Sequence, residues 1–281
     1  MRHTAPKALV ITAPGINCDL ELSEAFRAAG AEPVGYTLST LMREPSLIAQ
    51  CDLIGLPGGF SFGDDVAAGR IMGALMARSI YPALRDAVQD GVPIICPCNG
   101  FQIAVQAGLL PGPEVGDQQW PDEAAAATVA LADNLSARFT DVWTRVDVPR
   151  DTVCIWTRGL RSEGDTGVLP SAHGEGRFVA PQSLLQRLEA AGQVAVRYGV
   201  GENFNGSVGG VAGICDPSGL VLGLMPHPER FTRWTQHPRW TRLDAQELKG
   251  EPLGLQMFRR AVAFVREGAR DGSFELGSSL A

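Results

Sequence analysis

The sequence predicts an α/β protein, an open and mostly parallel sheet flanked by helices, with a β-rich C-terminal half. Three observations predict it. Short apolar runs alternate with amphipathic helical stretches through the first hundred residues, the pattern of a parallel sheet with helices on both faces. Unusual turns close three of those runs, at Pro14-Gly15-Ile16-Asn17, Gly58-Gly59-Phe60-Ser61 and Cys98-Asn99-Gly100. Beyond Pro111 the helical period fades and strand-like pieces take over.

Taken in order, Lys7 to Ala13 reads as a buried strand. Asp19 to Ala29 follows with Leu22, Ala25, Phe26 and Ala29 at helical spacing and stops at Gly30. Pro33 to Leu38 and Leu53 to Pro57 are strand-like. Asp64 to Asp90 is mostly helical, with a break near Pro82. Val92 to Cys96 is a fourth strand, and Asn99 to Ala107 a helix ended by Gly108. In the second half, Thr128 to Val168 holds β-like pieces and Ser183 to Ala191 is an amphipathic helix. Val194 to Tyr198, Val211 to Cys215 and Leu220 to Met225 are strands, the last two joined as a hairpin by Asp216-Pro217-Ser218-Gly219. Gly254 to Glu267 is a closing helix. No linker-like stretch divides residues 1–281, so the chain reads as one domain.

A net charge of −7 argues against nucleic acid or an anionic membrane surface as the main ligand, since both need a basic patch. The apolar runs are too short to span a bilayer, and the N-terminus lacks a signal-peptide core, so a cytoplasmic protein is expected. The six cysteines are scattered, without disulfide-scaffold density or metal-knuckle spacing. No metal site is expected.

Cys98 carries the chemistry. An apolar strand ends, the cysteine follows, then a small residue and a helix, which is how a nucleophile elbow is written. A nucleophilic thiol needs a base, and the base needs an orienting partner. Among four histidines, His227 stands just after an apolar strand in Pro226-His227-Pro228-Glu229. Read as extended backbone, that segment puts His227 and Glu229 on one side, so the carboxylate can fix the imidazole tautomer. Attack on a carbonyl also needs backbone N–H donors for the oxygen that gains charge. Gly59 and Asn99 are the candidates, on the Gly-Gly turn and at the start of the helix after the nucleophile.

Cys98-Asn99-Gly100-Phe101-Gln102 with the distant His227-Pro228-Glu229 resembles the class I (triad) glutamine amidotransferases. More narrowly, the chain is similar to the glutaminase subunits of phosphoribosylformylglycinamidine synthases. That likeness rests on Leu56-Pro57-Gly58-Gly59-Phe60-Ser61-Phe62-Gly63-Asp64, Ala172-His173-Gly174-Glu175-Gly176-Arg177-Phe178, Asn205-Gly206-Ser207 and Gly223 to Arg230. Pro14 to Asp19 fits the family's first turn, and the blocks run in family order over most of the chain.

The resemblance implies a flavodoxin-like, class I glutaminase architecture. It implies hydrolysis of glutamine through a thioester on Cys98, with His227 as proton carrier and Glu229 holding it. Gln102, Phe60 and His173 become candidate substrate contacts. It also implies a synthetase partner that consumes the ammonia in purine biosynthesis, and leaves open whether a small third subunit is needed. This subunit would need no cofactor; ATP and Mg would serve the synthetase. Two other readings use the same motifs: a glutaminase for guanylate or carbamoyl phosphate synthesis, and a non-catalytic partner-binding subunit. Residues 116–138 read as an insertion, and 232–251 as an extension before the last helix, either partner-docking surface or decoration.

Overall fold

The computed structural model describes residues 5–113, 119–162 and 164–271. Its first half follows the predicted alternation: β1 (Lys7–Thr12), α1 (Asp19–Ala29), β2 (Glu32–Thr37), α2 (Leu38–Arg43), β3 (Leu53–Gly55), α3 (Arg70–Ser79), α4 (Tyr81–Gln89), β4 (Ile94–Pro97) and α5 (Asn99–Gln106). The second half contains β5 (Ala130–Asp133), β6 (Thr140–Asp147), β7 (Val168–His173), β8 (Glu175–Val179), α6 (Gln182–Ala190), β9 (Val194–Tyr198), β10 (Val211–Cys215), β11 (Val221–Leu224) and α7 (Leu253–Asp271).

Nine strands form one sheet in the order β2-β1-β3-β4-β11-β10-β9-β6-β7. The pairings from β2 through to β11 are parallel, and those from β11 through β10, β9 and β6 to β7 are antiparallel. β5 and β8 form a separate antiparallel pair. The parallel centre is covered on both faces, which is why β1, β3 and β4 are near-continuous apolar runs. β2 closes the edge and is accordingly only half buried.

Local chemistry sets the boundaries. Gly30 ends α1 in the left-handed region at φ 95°, where its N–H reaches back to the last turn. The predicted helix over 64–90 is two helices, parted at Ile80, with Pro82 accommodated in the first turn of α4. α2 was not predicted; it is six residues long and started by the Thr37 hydroxyl, which accepts from the Thr40 N–H at 3.2 Å. The edge-to-face contact of Phe26 with Phe258, centroids 5.3 Å apart, binds α1 to α7.

The segment read as an insertion lies partly outside the described residues, at Gly116 to Gln118. Its later part is structural: β5 pairs with β8, and Asn134 takes an N–H bond onto the Gly174 carbonyl. The extension at 232–251 consists of short 3-10 turns at Trp234–Gln236, Trp240–Arg242 and Glu247–Lys249. Phe231, Trp143, Trp234 and His237 pack edge-to-face at its base, pinning it to β6. Among the described residues, no helix is long and apolar enough to cross a membrane.

Candidate active site

The three unusual turns converge beyond the carboxyl ends of β1, β3 and β4, where ligands bind in open parallel sheets. Ile16 bridges Gly59, and the Ser61 N–H donates to the Asn99 side-chain oxygen at 3.1 Å. They open onto a cavity of about 550 Å³ lined by Cys18, Gly59, Phe60, Cys98, Gln102, His173 and His227, among others. That volume suits a small metabolite.

Cys98 sits at φ 52°, ψ −110°, between the last residue of β4 and the first of α5. A non-glycine residue held there costs on the order of 1–3 kcal/mol, and such strain gathers at functional turns. Two features enforce it. The Cys98 N–H donates to the Leu224 carbonyl at 2.7 Å, fastening the elbow to β11. Gly100 passes so close to the Leu56 carbonyl oxygen that a Cβ would stand 2.0 Å from it. Only glycine lets the helix start that near β3.

His227 follows β11, and both it and Glu229 are buried. Its Nδ1 is 2.6 Å from Glu229 Oε1, and the residue lines the same cavity as Cys98, with which it interacts electrostatically. The local reason differs from the one predicted. The segment is not extended: Pro228–Arg230 forms a 3-10 turn. The turn brings the carboxylate back under the ring, so the contact is made by chain reversal rather than by strand alternation. Burial pulls the imidazolium down, but Glu229 and Cys98 outweigh it and lift the ring to about 10. A ring of that basicity accepts the proton of a thiol. Gly58 leaves the ring its room, since a Cβ there would lie 2.9 Å from His227 Cε1.

The candidate oxyanion donors flank the sulfur. Gly59 holds φ 137°, a region essentially reserved for glycine. Asn99 opens α5, so its N–H is one of the first-turn donors without a partner inside the helix. The Asn99 side chain then locks the loop: Nδ2 donates to Asp64 Oδ1 at 3.1 Å and to Gln102 Oε1 at 2.9 Å. Gln102 lines the cavity, and its own Nε2 donates to the Glu175 carbonyl, tying α5 to β8. Phe60 stands at the cavity wall, half exposed.

Sequence reasoning missed three contributors. β7 runs past the site: Pro170 accepts the His227 N–H at 2.7 Å, and the Ala172 carbonyl lies 3.8 Å from Cys98 Sγ. Asn134, from the segment read as an insertion, bonds the His173 ring. Cys18, from the first turn, is buried beside the pair, with Arg230 Nη2 donating to its sulfur at 2.9 Å. Burial, and then Glu229, push the Cys18 thiol up to about 12, so it is no rival nucleophile. Cys18, His227 and Glu229 each bring one possible metal-ligating atom within 4.8 Å of the others. The guanidinium on Cys18 and the imidazole–carboxylate bond already engage those donors.

A parallel sheet carrying a cysteine elbow, a buried His–Glu pair and a glycine turn defines a triad glutamine amidotransferase domain. The family described as CobB/CobQ-like glutamine amidotransferase domain matches residues 5–265. Phosphoribosylformylglycinamidine synthase subunit PurQ of Dehalococcoides mccartyi is 36% identical over 266 residues, 93% of this chain and 98% of the relative. The subunit PurQ of Frankia casuarinae is 43% identical over 223 residues, 78% of this chain and 82% of the relative. A chain of the PurLQS structure from Thermotoga maritima, 30% identical, superposes with TM-score 0.65 over 93% of this chain and 100% of its own. The chain belongs to the family of glutaminase subunits of phosphoribosylformylglycinamidine synthase.

Proposed function

We propose that this chain releases ammonia from glutamine and supplies it to a synthetase subunit that makes formylglycinamidine ribonucleotide in purine biosynthesis. Similarity to PurQ subunits over nearly the whole chain supports the pathway. The observation that carries the chemistry is the Cys98–His227–Glu229 line, with the 2.6 Å bond from His227 to Glu229 buried at its end.

The Cys98 sulfur attacks the side-chain amide carbon with its proton already resting on His227, whose basicity keeps it there. Charge collects on the amide oxygen, where the N–H groups of Gly59 and Asn99 meet it. The C–N bond breaks as His227 returns the proton to the leaving nitrogen, giving ammonia and a glutamyl thioester. Water, deprotonated by His227, then attacks the thioester and frees glutamate and the thiol. Glu229 keeps the ring in the tautomer that both steps need. Phe60 and Gln102 bound the substrate space. The subunit uses no metal or cofactor of its own; ATP and Mg serve the synthetase.

The exposed apolar side chains Phe60, Val66, Leu135 and Phe139 favour a partner docking around the cavity. Asp133, Ala137 and Arg138 line the cavity and favour a role for the 116–138 segment at that junction. A small third subunit fits the PurLQS assembly that the Thermotoga maritima relative comes from. Six free thiols fit a reducing cytoplasm.

The test is ammonia release from glutamine, measured with the synthetase partner present. Wild type is expected to turn over, and Cys98→Ser to lose roughly 10⁴-fold or more. No release by the wild-type complex would overturn the reading in favour of a non-catalytic subunit. Coupling to a guanylate-forming partner instead would reassign the pathway.

A further inference from the structure

The side-chain amide of glutamine donates through its nitrogen, whereas an ester or an ionised carboxylate at the same place only accepts. A cavity that prefers the amide therefore needs a fixed acceptor near that nitrogen. His173 is placed and prepared to be one. It ends β7, directly after Ala172, whose carbonyl lies 3.8 Å from the Cys98 sulfur, and it is among the residues that line the same cavity.

The ring's hydrogen can be located from its neighbour. Asn134 Nδ2 donates to two carbonyls, that of Arg138 at 3.0 Å and that of His173 itself at 2.8 Å. Turning the amide over would set its oxygen against two other oxygens, so its orientation is fixed. Asn134 Oδ1 then faces His173 Nδ1 at 3.0 Å and can only accept. The hydrogen sits on Nδ1, and Nε2 is left with a lone pair. Burial, and then His227, hold the ring down to about 4, so it stays neutral at working pH. Nε2 is buried and has no hydrogen-bond partner among the described residues. The ring is also held in place, with Phe204 tilted against it at 5.3 Å and Gly176 so close that a Cβ would overlap it at 2.2 Å. A buried acceptor without a partner is costly unless a ligand supplies the donor.

We infer that His173, held in one tautomer by Asn134, accepts a hydrogen bond through Nε2 from the amide nitrogen of bound glutamine and makes the site selective for amide over ester. The inference rests on the glutaminase reading and adds two roles to it. His173 is a specificity residue, and Asn134 is a positioning residue that acts through it.

Two measurements test it. Long-range ¹⁵N–¹H NMR of the full chain, with the His173 signal assigned from His173→Gln, reads the tautomer without any turnover. The Nδ1–H form is expected in the wild type, and loss of that preference in Asn134→Leu. In the assembled complex, kcat/KM is compared for glutamine and for glutamate γ-methyl ester, which lacks the donor. His173→Phe is expected to lose about 10²-fold on glutamine and little on the ester, with His173→Gln restoring part of the difference through its own acceptor. An Nε2–H tautomer in the wild type, or equal losses on both substrates, would overturn the inference while the glutaminase reading stood. A wild-type complex inactive on both substrates would remove that reading and the inference with it.

Discussion

Strands β4 and β7 both end at the same cavity, yet they contribute different things to it. β4 delivers the proposed reacting atom, the sulfur of Cys98, on a strained elbow. β7 delivers mostly backbone: the Pro170 carbonyl that anchors His227 and the Ala172 carbonyl beside the sulfur. The parallel half of the sheet thus carries the proposed nucleophile and its glycine turns, and the antiparallel half fixes where the proposed base and its surroundings sit. The difference teaches why two halves of unequal legibility are equally necessary. Reacting side chains announce themselves by type and spacing. Positioning carbonyls belong to every residue and announce nothing.

That comparison can be broken by mutation. Its largest expected effect beyond the nucleophile is at Glu229. Glu229→Gln keeps the shape but reverses the demand on His227 Nδ1, and should lower kcat by about 10³–10⁴-fold. A loss below tenfold would mean that backbone anchoring by β7 suffices to orient the ring. Next is Gly58→Ala, whose added Cβ meets His227 Cε1 at 2.9 Å. A misplacement of that size is expected to cost about 10²-fold in ammonia release, with the urea unfolding midpoint little changed. If instead stability falls and the remaining folded enzyme is fully active, Gly58 serves the fold and not the site.

The smallest effect concerns the antiparallel half and is read in stability. His173 is held near 4, below its ordinary value of 6.5, so the unfolded chain binds a proton that the folded one refuses between those values. Its contribution is whole above 6.5 and fades as pH falls towards 4, by about 3 kcal/mol. His227 runs the other way: held near 10, it favours the fold at low pH and loses that effect as pH rises through 10. Urea titrations over the acid range should show a shallower loss in His173→Gln than in the wild type. Parallel curves for the two proteins would contradict the placement of a neutral, buried imidazole at this site.

The fold was largely legible. α1, β9 and β10 fall on the predicted residues because amphipathic period, a glycine stop and β-branched runs act locally. α2 escaped because six residues give little period, and its Thr37 cap reads as a strand end. The pairing of His227 with Glu229 was legible by residue type, yet the His–Pro–Glu contact forms through a 3-10 turn that the proline readily starts, not through an extended strand. Asn134 was not legible at all. An asparagine after a short strand in an alanine-rich stretch looks like loop, and its bonds reach across to β7 and into the turn after it. Cys18 showed only as part of the first turn; its place beside Glu229 depends on the β1–β3 crossover.

The most direct measurement is to trap the acyl intermediate. The assembled complex is mixed with glutamine, quenched in acid within one turnover and digested, and each cysteine peptide is weighed. The account predicts a glutamyl adduct on the peptide containing Cys98, absent in Cys98→Ser. An adduct on Cys18, or ammonia formed at full rate in Cys98→Ser, would contradict it.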